Sequence, residues 1–342
     1  MKLKSLFLMA VAFALFANSA NAGWGGFEQK KREWAAKLNL PPIVGTWYYA
    51  DMENGLETNS GLLPELAVCS LQTAVDKCVT GNGDGVALLV HTSAGSTWSF
   101  AVSKPCTLDA YGMTLYGISN GSPYFNRARI VNGSSTKTAA MKSLIVCNAF
   151  NLQLMNLHVS NGDSAGIGAV EIIKARGYME NCHLIGGVNS YTACSTNVSC
   201  LKISTASEWR FKDCIFGTNS TKRTPAADQG NIHFTGAQGQ HWFENCTSLS
   251  YSNNDYHGAV FVGAATTISG WITFKDCDFL AWYENATSAL QSWVQGTAQN
   301  NRGFHIRNCG LNGFDQWDNI DSDLVYVTDY APTDTTGYAR PK

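Results

Sequence analysis

Three short stretches near the end of the chain hold the residues best suited to chemistry. Asn253, Asp255 and His257 form the first, Trp282, Tyr283 and Glu284 the second, and Asp315, Trp317 and Asp318 the third. Carboxylates flanked by aromatic rings suit a sugar chain: one acid protonates the leaving oxygen while the other activates water or attacks. Asp255, His257, Glu284 and Asp315 are therefore candidate catalytic residues. Asn253, Trp282, Tyr283, Trp317 and Asp318 are candidate substrate-binding residues. The same residues also fit a plainer role, a solvated loop edge whose aromatics pack on the body. The choice depends on the elements that carry them.

Those elements are announced by a cysteine on a fixed beat. Cys182, Cys214, Cys246, Cys277 and Cys309 are 32, 32, 31 and 32 residues apart, each preceded by an apolar residue, a charged residue, and Asn or Asp. Phe211-Lys-Asp-Cys214, Phe243-Glu-Asn-Cys246 and Phe274-Lys-Asp-Cys277 show the pattern. A period of this size signals a solenoid. Alternating segments such as Leu201-Lys-Ile203 and Val260-Phe-Val262, with Gly, Ser, Asn and Thr between them, make the unit about three short strands. Glu284 lies seven residues after Cys277 and Asp315 six after Cys309, so their loops are expected side by side.

The column before each cysteine reads Asn181, Asp213, Asn245, Asp276 and Asn308. Asn and Asp tolerate the left-handed conformation, which predicts a tight bend on every coil. Inward Asn side chains are expected to bond along the stack, with the two Asp bonding backbone N–H groups. The cysteines read as small residues filling a crowded corner; no short-spaced ligand set points to a metal. Phe211, Phe243 and Phe274 read as a stacked interior column. Six of the seven histidines, 91, 158, 183, 233, 241 and 305, fall on different strands and read as solvated or core residues. Of the Asn-x-Ser/Thr sequences, the one at Asn245 is expected to be buried.

Residues 1–22 read as a secretory signal: Lys2 and Lys4, the apolar run Leu6–Phe16, and Ala20-Asn-Ala22. No later apolar stretch is long enough to span a bilayer. The remaining 320 of the 342 residues suit one elongated domain. A net charge of −2 with 15 % charged residues argues against a nucleic-acid partner. Ten Trp and thirteen Tyr offer aromatic surface for glycans. Eleven cysteines in an exported chain raise the question of disulfides; Cys69/Cys78 and Cys194/Cys200 are the local candidates.

Residues 23–68 form an N-terminal helix and entry segment: Phe27–Leu38 is charged and helix-prone, Pro41-Pro42 ends it, and 47–68 read as loop. In Ser70–Cys78, Leu71, Ala74, Val75 and Cys78 share one helical face behind a Ser70 N-cap. This capping helix, 70–79, plugs the apolar end of a solenoid that would otherwise aggregate. The coils run over 69–320, and 321–342 are a last strand and tail.

The Ser70-Leu-Gln-Thr-Ala-Val-Asp-Lys-Cys78 helix, the following Val90-His-Thr-Ser-Ala-Gly95 stretch, Asn156-Leu-His-Val-Ser-Asn161 and the repeated Phe-x-Asp-Cys units resemble the right-handed parallel β-helix proteins of the pectin-lyase-like superfamily. Trp47-Tyr-Tyr-Ala-Asp51 is similar to the start of such domains in secreted bacterial and phage structural proteins. The resemblance implies an all-β solenoid of three parallel sheets, about seven or eight coils, and an Asn ladder at the second bend. Its members include pectin-degrading enzymes, tailspikes and non-enzymatic adhesins, so fold does not choose the function. Of the polygalacturonase motifs only His257-Gly258 is present, and no carboxylate cluster with a partnering base matches the pectate lyases. The expectation is an exported, non-enzymatic β-helix with a structural, self-assembling or glycan-binding role at a cell surface, in a matrix or on a virion, needing no cofactor. The alternative is a polysaccharide hydrolase or lyase using the late loops.

Overall fold

The computed structural model of the chain describes residues 26–90, 100–102, 104–119, 127–132, 143–162, 168–186, 198–223, 229–252, 257–283, 292–296, 303–318 and 325–327. Three long parallel sheets dominate. Sheet A has ten strands, from Trp47–Asp51 through Gly85–Val90 to Phe304–Arg307 and Val325–Val327. Sheets B and C have eight each, B running from Phe100–Val102 to Gly310–Asn312 and C from Cys106–Leu108 to Gln316–Asp318. The chain visits A, then B, then C, then returns to A one rung on, the right-handed sense of parallel crossovers.

Alternation within each strand sorts side chains between lumen and surface. In Trp209–Lys212, Trp209 and Phe211 are buried while Arg210 is exposed. In-register pairing then stacks equivalents: Leu115, Leu154, Met179, Phe211, Phe243, Phe274 and Ile306 form one inner column of sheet A. The Phe211 and Phe243 rings lie 4.4 Å apart and Phe243 and Phe274 4.5 Å apart, nearly parallel. In the neighbouring column Gly177 makes room for Trp209, whose ring atoms come within 2.4 Å of where a Cβ on Gly177 would stand.

The bend from A to B is made as the sequence predicts, with positive φ at Asn156, Asn181, Asp213, Asn245, Asp276 and Asn308. The column points outward rather than inward, and Asn245 is exposed, not buried. The left-handed residue turns its side chain away from the lumen, and the following Cys or Leu takes the inner corner. The Asp residues are also not bonded as expected. Asp213 accepts from the amide of Asn245 at 2.5 Å, and Asp276 from that of Asn308 at 2.6 Å, as Asn156 accepts from Asn181 at 2.8 Å.

The capping helix is shorter than its sequence face suggests. Regular helix covers Leu71–Val75, with Ser70 Oγ accepting from Thr73 N, and Lys77 and Cys78 continue in tighter turns onto the carbonyls of Ala74 and Val75. Leu71, Ala74 and Val75 still bury against the first rungs. A second helix, 26–37, is tied to the short turn Pro64–Leu66 by Trp34 Nε1 donating to Glu65 and by a Lys30–Glu65 ion pair.

The thiols of Cys69 and Cys78 are not joined. Cys69 faces Glu57 Oε1 at 3.0 Å, and Cys78 faces the carbonyl of Ala74. Cys200 is a free thiol on the lumen side, and Cys194 lies outside the described residues. The thiols of Cys182, Cys214, Cys246, Cys277 and Cys309 form a ladder, each donating to a carbonyl of the preceding rung, as Cys246 does to Phe211 at 3.6 Å. Native-state alkylation is therefore expected to label Cys69 first. Its hydrogen bond to Glu57 raises its pKa and slows it relative to a free thiol. The buried thiols Cys106, Cys147, Cys182, Cys214 and Cys246 should label only on unfolding; rapid labelling of the ladder would mean an open lumen.

Candidate functional site

Among the described residues, the late-loop candidates do not share one face. Asn253, Asp255 and Glu284 lie outside the described residues. His257 starts a sheet C strand and is buried inside the coil, 2.8 Å from the Arg223 guanidinium. Trp317 is no surface aromatic: it sits half-buried against the core, its ring 5.6 Å from Trp293. Asp315 is exposed in the turn between Gly310–Asn312 and Gln316–Asp318, and Asp318 lies in that last strand opposite Val294. Trp282 and Tyr283 end a sheet B strand opposite Tyr251 and Ser252, with Trp282 exposed. The described positions among them belong to two sheets and the lumen and share no common face.

A different face gathers aromatic and charged side chains. On the outside of sheet A, Tyr178, Arg210, Trp242, Thr273, His305 and Tyr326 follow one another in direct register. Trp271, one residue before the strand Ile272–Lys275, joins them: its ring is 5.1 Å from Tyr326 and 6.1 Å from His305. Trp242, Trp271 and Tyr326 are 36 %, 37 % and 39 % exposed, large for indole and phenol rings. From the Trp242 strand to that of Tyr326 is three rungs, roughly 14 Å.

Beside this column runs a second, Glu180, Lys212, Glu244, Lys275 and Arg307. Opposite charges on adjacent strands pair, as cross-strand neighbours do. Lys212 reaches Glu180 at 3.3 Å; Glu244 receives Arg210 at 2.6 Å and Lys275 at 3.2 Å. The hydrogen bond from Arg210, reinforced by that from Lys275, holds the Glu244 carboxyl below its usual range. A general acid needs the opposite displacement. Glu180 and Glu244 also stand two rungs apart with Lys212 between them. The face offers stacking surface and charged hydrogen-bonding groups, and its carboxylates are engaged as counter-ions.

A buried polar corner lies where sheet B strands hand over to sheet C. A register shift between Thr218 and Arg223 turns Arg223 into the lumen, where it is 2 % exposed. Its Nη1 donates to Asn231 Oδ1 at 2.9 Å and lies 2.8 Å from His257 Nε2; its Nη2 donates to the Gly186 carbonyl at 2.6 Å and contacts Cys200 Sγ at 2.7 Å. Asn231 in turn donates to Ser248 and Ser250. Burial, with Arg223 adding to it, pushes His257 well below its usual pKa. Among the described residues Arg223 has no carboxylate partner, and the cluster ties three successive coils together.

The signal for the sheet A face was present in the repeat. Four residues before each cysteine stand Tyr178, Arg210, Trp242, Thr273 and His305, one step out of phase with the buried Phe column. The buried corner had no comparable signal, since Arg223 arrives there through an irregular strand.

No protein-family model matches the chain, and no curated protein matches it by sequence. Among solved structures it is similar to a pectin methylesterase in complex with a hexasaccharide, at 12 % identity over 78 % of this chain and 65 % of that one, TM-score 0.42. It is also similar to the GH136 lacto-N-biosidase from Eubacterium ramulus, at 10 % identity over 82 % and 68 %, TM-score 0.35. A third is ORF18 of Geobacillus virus E2, at 14 % identity over 75 % and 55 %, TM-score 0.33. The chain spans less than two thirds of the length of the first and last of these. Three in-register parallel sheets, one strand from each per coil, make this chain a right-handed parallel β-helix, the fold its sequence resemblance implied.

Proposed function

We propose that the chain is an exported, non-enzymatic β-helix that binds a glycan along the outer face of sheet A. The observation that carries this reading is the set of exposed rings of Trp242, Trp271 and Tyr326, with His305, on four consecutive rungs. Flat, rigid, half-exposed rings give contact area at little entropic cost, and the neighbouring Arg210, Lys275 and Arg307 supply hydrogen-bond donors to hydroxyls. The N-terminal signal-like segment supports export. The engagement of Glu244 by two cations supports binding over hydrolysis.

The test is affinity electrophoresis and calorimetry of the mature protein over a panel of polysaccharides, with product release followed as reducing ends and unsaturated uronide. Binding without release is expected. Trp242→Ala with Trp271→Ala should weaken it about tenfold or more, the usual weight of two aromatic anchors. Trp282→Ala, on sheet B, should leave it unchanged. Loss confined to Trp282→Ala would move the site to sheet B, and product release would replace a binder with an enzyme.

A further inference from the structure

A second cluster stands on the outer face of sheet B, away from the aromatic face. Arg129, His158 and His183 follow one another in direct register on three adjacent strands. The two imidazoles are 4.7 Å apart with planes tilted by 40°. Arg127 enters from the bend before Ala128–Asn132 and is held there, its Nε donating to the backbone and side-chain oxygens of Asn181 at 2.9 and 3.0 Å. His183 is oriented as well: its Nε2 donates to the carbonyl of Gly217 at 2.8 Å, a residue with φ +98 at the sheet B bulge.

The cluster has no carboxylate of its own among the described residues. Among the described residues, no ion pair engages Arg127 or Arg129, whereas Arg210, Lys212 and Lys275 on sheet A each have a carboxylate one rung away. His158 Nε2 is buried and has no hydrogen-bond partner among the described residues. Burial pushes His158 down to about 3, helped by His183, Arg129 and Arg127. Two guanidinium groups and an unused imidazole nitrogen within roughly 10 Å of sheet surface are complementary to a planar or tetrahedral oxyanion, which guanidinium binds with paired N–H donors.

We propose that Arg127, Arg129, His158 and His183 form an oxyanion-binding site, taking the carboxylate or sulfate group of an acidic sugar or the free anion. Arg129, exposed, meets the anion from solvent, and the anchored Arg127 completes the contact beside the stacked imidazoles of His158 and His183. The site stands independently of the glycan reading for sheet A.

The experiment follows the histidine ring nitrogens of the mature protein by NMR while titrating inorganic sulfate, glucuronate, and a uronate oligosaccharide. Saturable shifts at His158 are expected. Arg129→Gln, a surface change, should weaken binding about tenfold, the weight of one charge-assisted contact, with an unchanged denaturation midpoint. Trp242→Ala with Trp271→Ala should leave it intact, which separates this site from the aromatic face. Tighter binding of the oligosaccharide identifies a chain-borne carboxylate, and tighter sulfate binding a sulfate group or the free ion; either assigns the site. No saturable shift with any of the three, or equal affinity in Arg129→Gln, overturns it.

Discussion

Phe243→Ala is expected to lower stability by about 3–5 kcal/mol. The ring is fully buried, stacked at 4.4 Å on Phe211 below and 4.5 Å on Phe274 above. Phe216 and Phe234 present their edges to it at 5.9 and 6.4 Å. Removing it empties one layer of the lumen. The neighbouring rungs are held at strand spacing by their ladders, so they cannot collapse into the hole, and the cost belongs at the upper end of the range. Trp242, one residue earlier, points outward, and Trp242→Ala should shift the urea midpoint little. The pair of variants tests register directly, because a slip by one residue would exchange the two results. A small effect at Phe243 with a large one at Trp242 would invert the assignment of lumen and surface throughout sheet A.

That register is legible in the sequence. The spacing of Cys182 to Cys309 named the solenoid, the Phe before each Asn or Asp named an inner column, and the Asn or Asp named the bend. What the spacing could not give was direction at the bend. A left-handed residue and its successor take opposite sides of the wall, so Asn245 and Cys246 cannot both face inward, and the cysteine does. The aromatic face was half-legible: Trp242 and His305 occupy repeat positions, while Trp271 and Tyr326 come into place only through the return bend and the last rung. The described late-loop candidates separate because sequence proximity to a repeat does not fix the sheet. His257 opens a sheet C strand facing the lumen, Trp282 ends a sheet B strand facing out, and Trp317 turns in upon Trp293. His158 and His183 were passed over as scattered histidines because that stretch advances by 25 residues, from Leu157 to Cys182, rather than 32.

The buried corner around Arg223 predicts an inversion of sign. Asn231→Leu should cost about 3–5 kcal/mol, since it leaves a guanidinium in the lumen without its Oδ1 acceptor and strands the hydroxyls of Ser248 and Ser250. Arg223→Met should cost less, about 1–3 kcal/mol. It also removes the donors to the Gly186 carbonyl and to Asn231 Oδ1, but it takes away the charge whose desolvation burdens the folded state. The double variant Arg223→Met with Asn231→Leu should then be more stable than Asn231→Leu alone, because a corner with no charge is cheaper to bury than a charge without its acceptor. Urea unfolding of the four proteins closes the cycle. If Asn231→Leu costs under about 1 kcal/mol, Arg223 reaches water at the corner and is a surface charge in disguise. If the second change destabilises further, the arginine's worth lies in the coils it joins, since its contacts to Gly186, Cys200 and His257 span three rungs that the hydrophobic column of sheet A does not fix at this edge.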